Sequence, residues 1–459
     1  GVLLPGGGYS VRRLPSGGGV TTLAPVTVTG QEYRVMSEGS GRYNTPAVTI
    51  GKGEQRLKDI PQSISVVTRQ RLDEQNLNSV YDALENTTGV TLQQSPQGGK
   101  YIYSRGFQDT VIQYDGVPLQ RSMYGRASNY SGGTAMYDRV EVLRGPAGVT
   151  DDALGQPGGT VNLVRKRPMD EFHMSGETQA GTFGSIRQMF DVTGPLNKEG
   201  TLRGRTVIAG NNSLQSVDGT RNKNLMIYGA LDYDFSPRTT LSLSAGHQVN
   251  SQHGVDYGAA GTFNSTLTAL VGRVPGSYSD NYSPDWNWSN VKTTEANADL
   301  THRFDNGWTW GTTAFYRHGE LRSKYAYSGP GATQQGLARF GDQAQYGEFN
   351  WLGLDTHASG PIQALGLTHI LTVGANYSQV NSTDKRGYQV VAGPYPGGLF
   401  SLYSPNDVPN VDVPFTFDPV INVISFVFAW DSQQAISSGG LRNTFLMSAI
   451  ASLALGLYS

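Results

Sequence analysis

The chain has 459 residues, enough for two or three domains, and a formal net charge of −2 from 35 Lys+Arg against 37 Asp+Glu. That balance offers no strong field to gather nucleic acid, and the absence of Cys excludes a disulfide scaffold, thiol catalysis and cysteine-bound zinc or iron–sulfur sites. Hydrophobic (37%) and charged (16%) residues are both scarce while Gly (59) and Tyr (24) are abundant, which suits strands of a transmembrane β-barrel, and also a secreted all-β or a polar, loop-rich protein.

The chain begins at Gly1 without Met or signal peptide, which reads as a processed or partial chain. No stretch reaches about 18 apolar residues, so no membrane-spanning helix is expected, and a barrel is the remaining way to cross a bilayer. Residues 1–60 are rich in Gly, Pro and Thr. Tyr9 to Leu14 reads as a short strand. Ala24-Pro25-Val26-Thr27-Val28-Thr29-Gly30 is β-prone within a linker-like setting, available to add a strand to a partner's sheet, or else a disordered tail.

Residues 61–168 read as a compact α/β unit. Ser63 to Thr68 is a strand, and Ser79-Val80-Tyr81-Asp82 is a capping-box variant opening a short helix with Val80, Ala83 and Leu84 on one face. Tyr101 to Phe107, Val111 to Tyr114, Arg139 to Leu143 and Thr160 to Val164 are further strands, with a turn at Asp115-Gly116. From residue 172 period-2 alternation takes over. Leu225, Ile227, Leu231, Tyr233 and Phe235 share one face, with Asp232 and Asp234 on the other. Ala296, Ala298, Leu300 and Phe304 alternate with Glu295, Asn297, Asp299, Thr301 and Arg303. A half-wet sandwich alternates too. The connections favour a barrel, because they alternate short (194–200, 236–238, 305–307, a Gly-Pro turn near Gly360) and long (211–223, 251–292, 321–343, about 381–417). Phe235, Phe304, Trp308 and Trp310 lie where strands meet short turns, as an interfacial aromatic girdle would.

Between residues 56 and 168 the chain carries an ordered series: Lys58 to Thr68 (KDIPQSISVVT), Leu84 to Val90 (LENTTGV), Ser104-Arg105-Gly106-Phe107, Tyr114-Asp115-Gly116-Val117-Pro118, Tyr137 to Pro146 (YDRVEVLRGP) and Gly158 to Pro168 (GGTVNLVRKRP). The series resembles the plug domain of TonB-dependent ferric-siderophore receptors, with most likeness to ferric-pyoverdine and ferric-coprogen receptors. Each piece alone is weak; their order over about 110 residues is specific. The resemblance implies an α/β plug inside an antiparallel transmembrane β-barrel, about 22-stranded in the family, in the outer membrane of a Gram-negative bacterium. It implies uptake of a ferric siderophore driven by TonB with ExbB-ExbD, with no enzyme activity, cofactor, protein-bound metal or nucleic acid, and with outer-membrane lipid as surroundings. By this resemblance residues 1–23 look like the remnant of a periplasmic signalling domain, which would contact an anti-sigma regulator. Ala24, Pro25, Val26, Thr27, Val28 and Thr29 resemble a TonB box within a linker at 24–55. The plug is then 56–168 and a partial barrel 169–432. Arg105 and Arg144, with Glu141 as a third member, are expected to latch the plug to carboxylates on the barrel wall. The siderophore is expected on Gln97, Lys100, Tyr101, Arg121, Tyr124, Arg126 and Tyr130 of the plug apex, and on Trp286, Trp288, Tyr325 and Tyr327 of barrel loops.

The chain also departs from that pattern. About ten strands fit between residues 172 and 432, roughly half of a 22-stranded barrel, so closure as a monomer is not expected. Residues 433–459 lose alternation and end in a small-residue apolar run, read as an atypical, non-native tail from a truncated or frameshifted gene, with a divergent end as the alternative. Receptors for haem, cobalamin or a glycan, a signalling receptor and a non-functional product are the competing readings of function.

Overall fold

The computed structural model describes residues 2–3, 9–10, 36–51, 53–57, 60, 62–94, 100–107, 111–119, 132–145, 158–254, 261–264, 269–364, 366–418, 420–434 and 449–458. Residues 1–34 form a unit of their own, in which Val2–Leu3 pairs antiparallel with Tyr9–Ser10. The expected box at Ala24–Thr29 lies outside the described residues.

The plug is built from β1 (Ser63–Val67), α1 (Arg69–Glu74), α2 (Val80–Glu85), β2 (Val90–Gln94), β3 (Lys100–Ser104), β4 (Val111–Tyr114), β5 (Val117–Leu119), β6 (Tyr137–Arg144) and β7 (Gly159–Arg165). Five strands form one sheet in the order β1-β6-β7-β4-β5, parallel only between β7 and β4. Strands β2 and β3 form a separate hairpin. The expected helix opens as read: the Ser79 hydroxyl accepts from the Asp82 amide, while the Asp82 carboxylate accepts from the Ser79 amide. Val80, Ala83 and Leu84 are buried against Val67, Val140, Val142, Val161 and Leu163. Asp115 and Gly116 have φ of 50° and 82°, the left-handed pair of a two-residue hairpin turn between β4 and β5. The expected linker is shorter than read. Ala47–Val48 pairs with Gln55–Arg56, and Val48 and Ile50 pack on Leu143. Short apolar pairs in a Gly- and Thr-rich stretch carry too little period to be seen from sequence.

Among the described residues the main path of the wall is an antiparallel succession of eleven strands: β8 (His173–Ala180), β9 (Ile186–Pro195), β10 (Leu202–Leu214), β11 (Arg221–Ser236), β12 (Thr239–His253), β13 (Trp288–Arg303), β14 (Thr309–Ala332), β15 (Leu337–Ala364), β16 (Leu367–Val391), β17 (Val420–Gln434) and β18 (Ala449–Tyr458). Ten of them occupy the stretch where about ten were expected. Alternation sorts the two faces as the sequence implied. On β11, Met226, Tyr228, Ala230 and Asp232 are buried, while Leu225, Ile227, Leu231, Tyr233 and Phe235 are exposed on the other face. On β13, Ser289, Val291, Thr293, Glu295, Asn297 and Asp299 are the buried set. An exposed apolar face opposite a polar, plug-covered one is the pattern of a barrel wall in lipid. Phe235, Phe304 and Trp310 are exposed at the short-turn end, with Phe172 and Leu196. No helix among the described residues is long and apolar enough to cross a membrane, which says nothing about strands.

Three features of the wall stand out against expectation. The β15–β16 turn lies at residues 364–367, not at Gly360-Pro361. Pro361 sits beyond the last β14 pair, Thr309↔Ser359, so it has one strand neighbour and its missing N–H is tolerated there. Residues 321–343, expected as a loop, are the tips of β14 and β15, paired up to Ala332↔Ala338. At 24 and 28 residues these strands far exceed the about 9–11 needed to cross a bilayer. Their projecting ends are held by a second core of Val274, Tyr282, Ala326, Phe340, Phe400, Leu402 and Val408. Finally, Ala449–Tyr458, expected to lack strand pattern, pairs with β17 from Trp430↔Ala449 to Ile421↔Tyr458. A run of small apolar residues can occupy a strand without alternating in polarity.

Candidate functional site

The plug meets the wall along a seam of buried charge at Arg165, Lys166 and Arg167, where the chain leaves β7. Arg165 Nη2 and Nε lie 3.0 and 3.1 Å from Glu295 Oε1 on β13. Its Nη1 pairs with Asp115 in the β4–β5 turn. Glu295 Oε2 takes a second cation, Arg317 of β14, at 2.9 Å. Both guanidinium groups lie over aromatic faces, Arg165 at 4.7 Å from the Phe315 ring centroid and Arg317 at 4.5 Å from Tyr114. Tyr114, Phe315 and Trp351 stack beneath them, and Trp351 donates its indole N–H to Ser378. Burial pushes the Tyr114 phenol up to about 12, against the opposing pull of Arg317, so it stays neutral. Arg167 reaches Asp299 at 3.2 Å, and Asp299 also accepts from Asn297 and Thr313. Each carboxylate sits at a buried phase of its strand. The wall's polar face is therefore matched to three consecutive plug cations.

Lys166 turns to the neighbouring strands. Its Nζ lies 2.8 Å from Asp191 on β9 and 3.4 Å from Glu38. Arg205 on β10 binds both of those carboxylates, with Nε 2.9 Å from Asp191 Oδ1 and Nη2 2.7 Å from Glu38 Oε1. Two cations and two carboxylates thus form a neutral, enclosed cluster. Burial alone would raise the Glu38 carboxyl, but the Arg205 hydrogen bonds and the Lys166 and Arg205 charges outweigh it and hold it below the usual carboxylate range. The backbone around Glu38 is tied to the plug as well. The Asp138 carboxylate accepts from the amides of Ser37 (2.9 Å) and Glu38 (2.8 Å). The Ser37 hydroxyl donates to Asp138 O at 2.8 Å and accepts from the Arg69 amide at 2.8 Å.

The geometry takes Glu141 out of the expected latch. Glu141 is fully buried inside the plug, paired with Arg139 at 2.7 Å and accepting from the Thr49 amide and Asn162. Among the described residues its carboxylate meets only plug-side groups, because Thr49, Arg139 and Asn162 occupy the face of β6 from which it projects. Arg144 donates to Thr88 O at 2.8 Å, and Arg105 is exposed in a turn with φ of 51°. Neither forms an ion pair with another described residue. The plug–wall pairs are made by Arg165, Lys166, Arg167 and Glu38. The signal for them was present: a basic triplet ending the last plug strand, and acids at the polar phase of the wall strands.

Of the expected siderophore contacts, Gln97, Arg121, Tyr124, Arg126 and Tyr130 lie outside the described residues. Lys100 is engaged within the plug by Glu85 at 3.2 Å, beside the Tyr81 ring. Trp286 is half-buried in the second core and donates to Val408 O at 3.1 Å. Trp288 falls on the phase of β13 that faces away from the plug, opposite Ser289, because side chains alternate along a strand. The structure does bring Tyr325, Tyr327 and Tyr388 together, with ring centroids 6.1 and 6.2 Å apart. Arg386, on the plug-facing phase of β16, is paired with Asp384 and lies 5.7 Å from the Phe417 ring centroid, with Tyr325 and Tyr101 at longer electrostatic range. Arg386 and Tyr388 were missed because nothing in their local sequence marks them. Among the described residues no group of three or more His, Cys, Asp or Glu could hold a metal ion.

Comparison with known proteins agrees with this architecture. Residues 56–160 match the TonB-dependent Receptor Plug Domain family. The chain is 38% identical over 387 residues to the ferric-pyoverdine M114 receptor PbuA of Pseudomonas sp. (strain M114), covering 81% of this chain and 45% of that protein. It is 34% identical over 361 residues to the ferripyoverdine receptor of Pseudomonas aeruginosa, covering 78% and 44%. The solved pyoverdine outer membrane receptor FpvA from P. aeruginosa PAO1, bound to pyoverdine, superposes with a TM-score of 0.82 at 27% identity, covering 92% of this chain and 61% of that one. The chain spans a little under half the length of the curated relatives it matches. Over the part it covers, the chain is similar to ferric-pyoverdine receptors and shares the fold of that part, an α/β plug seated against an antiparallel strand wall.

Proposed function

We propose that this chain acts in an outer-membrane receptor that binds a ferric siderophore of the pyoverdine class and imports it with energy transduced by TonB. The observation that carries the reading is the seam. A plug attached to the wall by buried, hydrogen-bonded ion pairs is held firmly at rest, yet its attachments are polar and can exchange for water. A plug meant only to fill the wall would be better served by apolar contact. The similarity to ferric-pyoverdine receptors supplies the ligand class. The Tyr101, Tyr325, Tyr327, Tyr388 and Arg386 cluster supplies suitable chemistry, since aromatic faces and a guanidinium suit a large, polar, aromatic-bearing chelate.

Binding is tested on the chain in detergent by quenching of tryptophan fluorescence with ferric pyoverdine, ferrioxamine B, haem and cobalamin. Saturable quenching by ferric pyoverdine at the lowest concentration supports the proposal. Tighter binding of haem or cobalamin, or no saturable binding, refutes it. The TonB arm is tested separately, by binding of a TonB periplasmic domain to the chain with and without residues 24–29.

A further inference from the structure

We propose that Glu38 is a separable joint: the first attachment to part when traction enters the plug from the N-terminal side, built so that every charge its parting leaves behind keeps an ion-pair contact. The idea rests on the TonB-driven reading for its purpose, but on geometry alone for its content. Glu38 is the only member of its four-charge cluster that lies N-terminal to the plug sheet. The other three, Lys166, Asp191 and Arg205, follow the plug in sequence or belong to the wall. Remove Glu38, and Asp191 still holds Lys166 at 2.8 Å and Arg205 Nε at 2.9 Å. The same arrangement repeats one step away. When the Ser37 and Glu38 amides leave Asp138, that carboxylate keeps Arg139 at 2.8 Å, and Arg139 keeps Glu141. Each charge left behind therefore keeps an ion-pair contact after the joint opens, with Asp191 then serving two cations and Arg139 two carboxylates. Opening avoids most of the penalty of an orphaned buried charge, which makes breaking an ordinary buried pair costly.

The local backbone fits a part that detaches as a unit. Ser37 to Gly41 form a compact turn closed by the Ser40 amide and hydroxyl on Ser37 O, with Gly39 and Gly41 at φ of 71° and 61°. This turn presents the Ser37 and Glu38 amides to one carboxylate, so tension along the chain loads the Asp138 and Arg205 contacts together. By contrast, the Arg165–Glu295–Arg317 contacts lie beyond β7 and are shielded from that load by the whole plug sheet. Asp191 is the complementary positioning residue. It is the anchor that stays: it lies 2.8 Å from Lys166, against 3.4 Å for Glu38, so its loss takes the nearer carboxylate from that cation.

The test is site-resolved hydrogen exchange on the full chain in detergent at fixed pH, comparing wild type, Glu38→Gln and Asp191→Asn, with neither siderophore nor TonB present. Glu38→Gln should accelerate exchange at the Ser37 and Glu38 amides by about tenfold or more while leaving β6, β9 and β10 unchanged within about twofold. Asp191→Asn should accelerate β9, β10 and the Lys166 amide. If Glu38→Gln loosens β6 or β10 as much as the turn, Glu38 is an ordinary structural anchor and the proposal fails. It fails equally if the turn's exchange does not change. Because no ligand is used, a failed siderophore-binding experiment and a failed joint are distinguishable.

Discussion

Glu295→Gln is the sharpest probe of the plug–wall seam. The substitution keeps the shape of the side chain and removes the charge that faces two buried guanidinium groups, Arg165 at 3.0 Å and Arg317 at 2.9 Å. Removing one partner of a buried ion pair costs about 3–5 kcal/mol, because the remaining charge is left uncompensated. Here the loss is partial. Arg165 keeps Asp115 and the Phe315 face, and Arg317 keeps the Tyr114 face. The low end of the range applies, about 3 kcal/mol, or roughly 100-fold in an opening equilibrium. The assay is amide exchange at β4 and β7 under conditions where exchange follows the opening equilibrium, with exchange at β11 as the internal control. A double variant, Arg165→Met with Glu295→Gln, should recover part of the loss, since burying neither charge is cheaper than burying one. An effect of Glu295→Gln below about threefold, or strict additivity in the double variant, would refute the view that this carboxylate seats the plug.

Other consequences follow from the same structure. Gly159 has φ of 111°, and a Cβ there would lie 2.1 Å from Leu143 O, so Gly159→Ala should separate β6 from β7 and make the plug sensitive to protease at concentrations the wild type resists. The Glu38 carboxyl sits below its ordinary value of 4.5 in the folded chain, so its stabilisation is fully present above that value and is lost as pH falls through the lower folded value. Opening of the Ser37–Glu38 turn, after correction for intrinsic exchange, should therefore be flat near neutral pH and rise only in acid; a rise with increasing pH would contradict the sign. Tyr327→Ala should weaken ferric-siderophore binding about tenfold in the fluorescence titration without moving the unfolding temperature, since Tyr327 is only half-buried; unchanged affinity would remove it from the site.

What the sequence revealed and what it concealed divide along the range of the interactions. The α2 start was legible because Ser79 and Asp82 satisfy each other three residues apart. The two faces of β11 were legible because alternation is a property of the strand itself. Residues 321–343 were misread because polar and glycine-rich composition marks exposure to water, and a projecting hairpin is exposed to water as a loop is. The pairs seen between plug and wall were missed for a different reason. Arg105, Glu141 and Arg144 are plausible by residue type, but pairing is decided by partners far along the chain: Arg165 and Glu295 are 130 residues apart, Arg205 and Glu38 are 167 apart. Charge alone names the candidates; only the fold says that β6 is flanked on both sides by its own sheet and that β7 delivers its cations to the wall.

The location of those cations has a consequence for how a plug can move. Arg165, Lys166 and Arg167 stand at the covalent exit from plug to wall, and among them they engage β9, β12 and β13 through Asp191, Ser242, Glu295 and Asp299. Among the described residues, the first attachment met on the N-terminal side is the turn at Ser37–Glu38. Under the proposed function, work arriving through residues N-terminal to that turn meets one polar joint first and the triple cation seam last. The two ends of the plug are therefore unequal in strength, and the stronger end is the one the polypeptide already secures. The proposed joint therefore predicts displacement that begins at the N-terminal side while Arg165–Arg167 remain attached to the wall. Reversal needs no search, because Arg205 and Asp138 keep the partners that orient them for the return of Glu38 and Ser37.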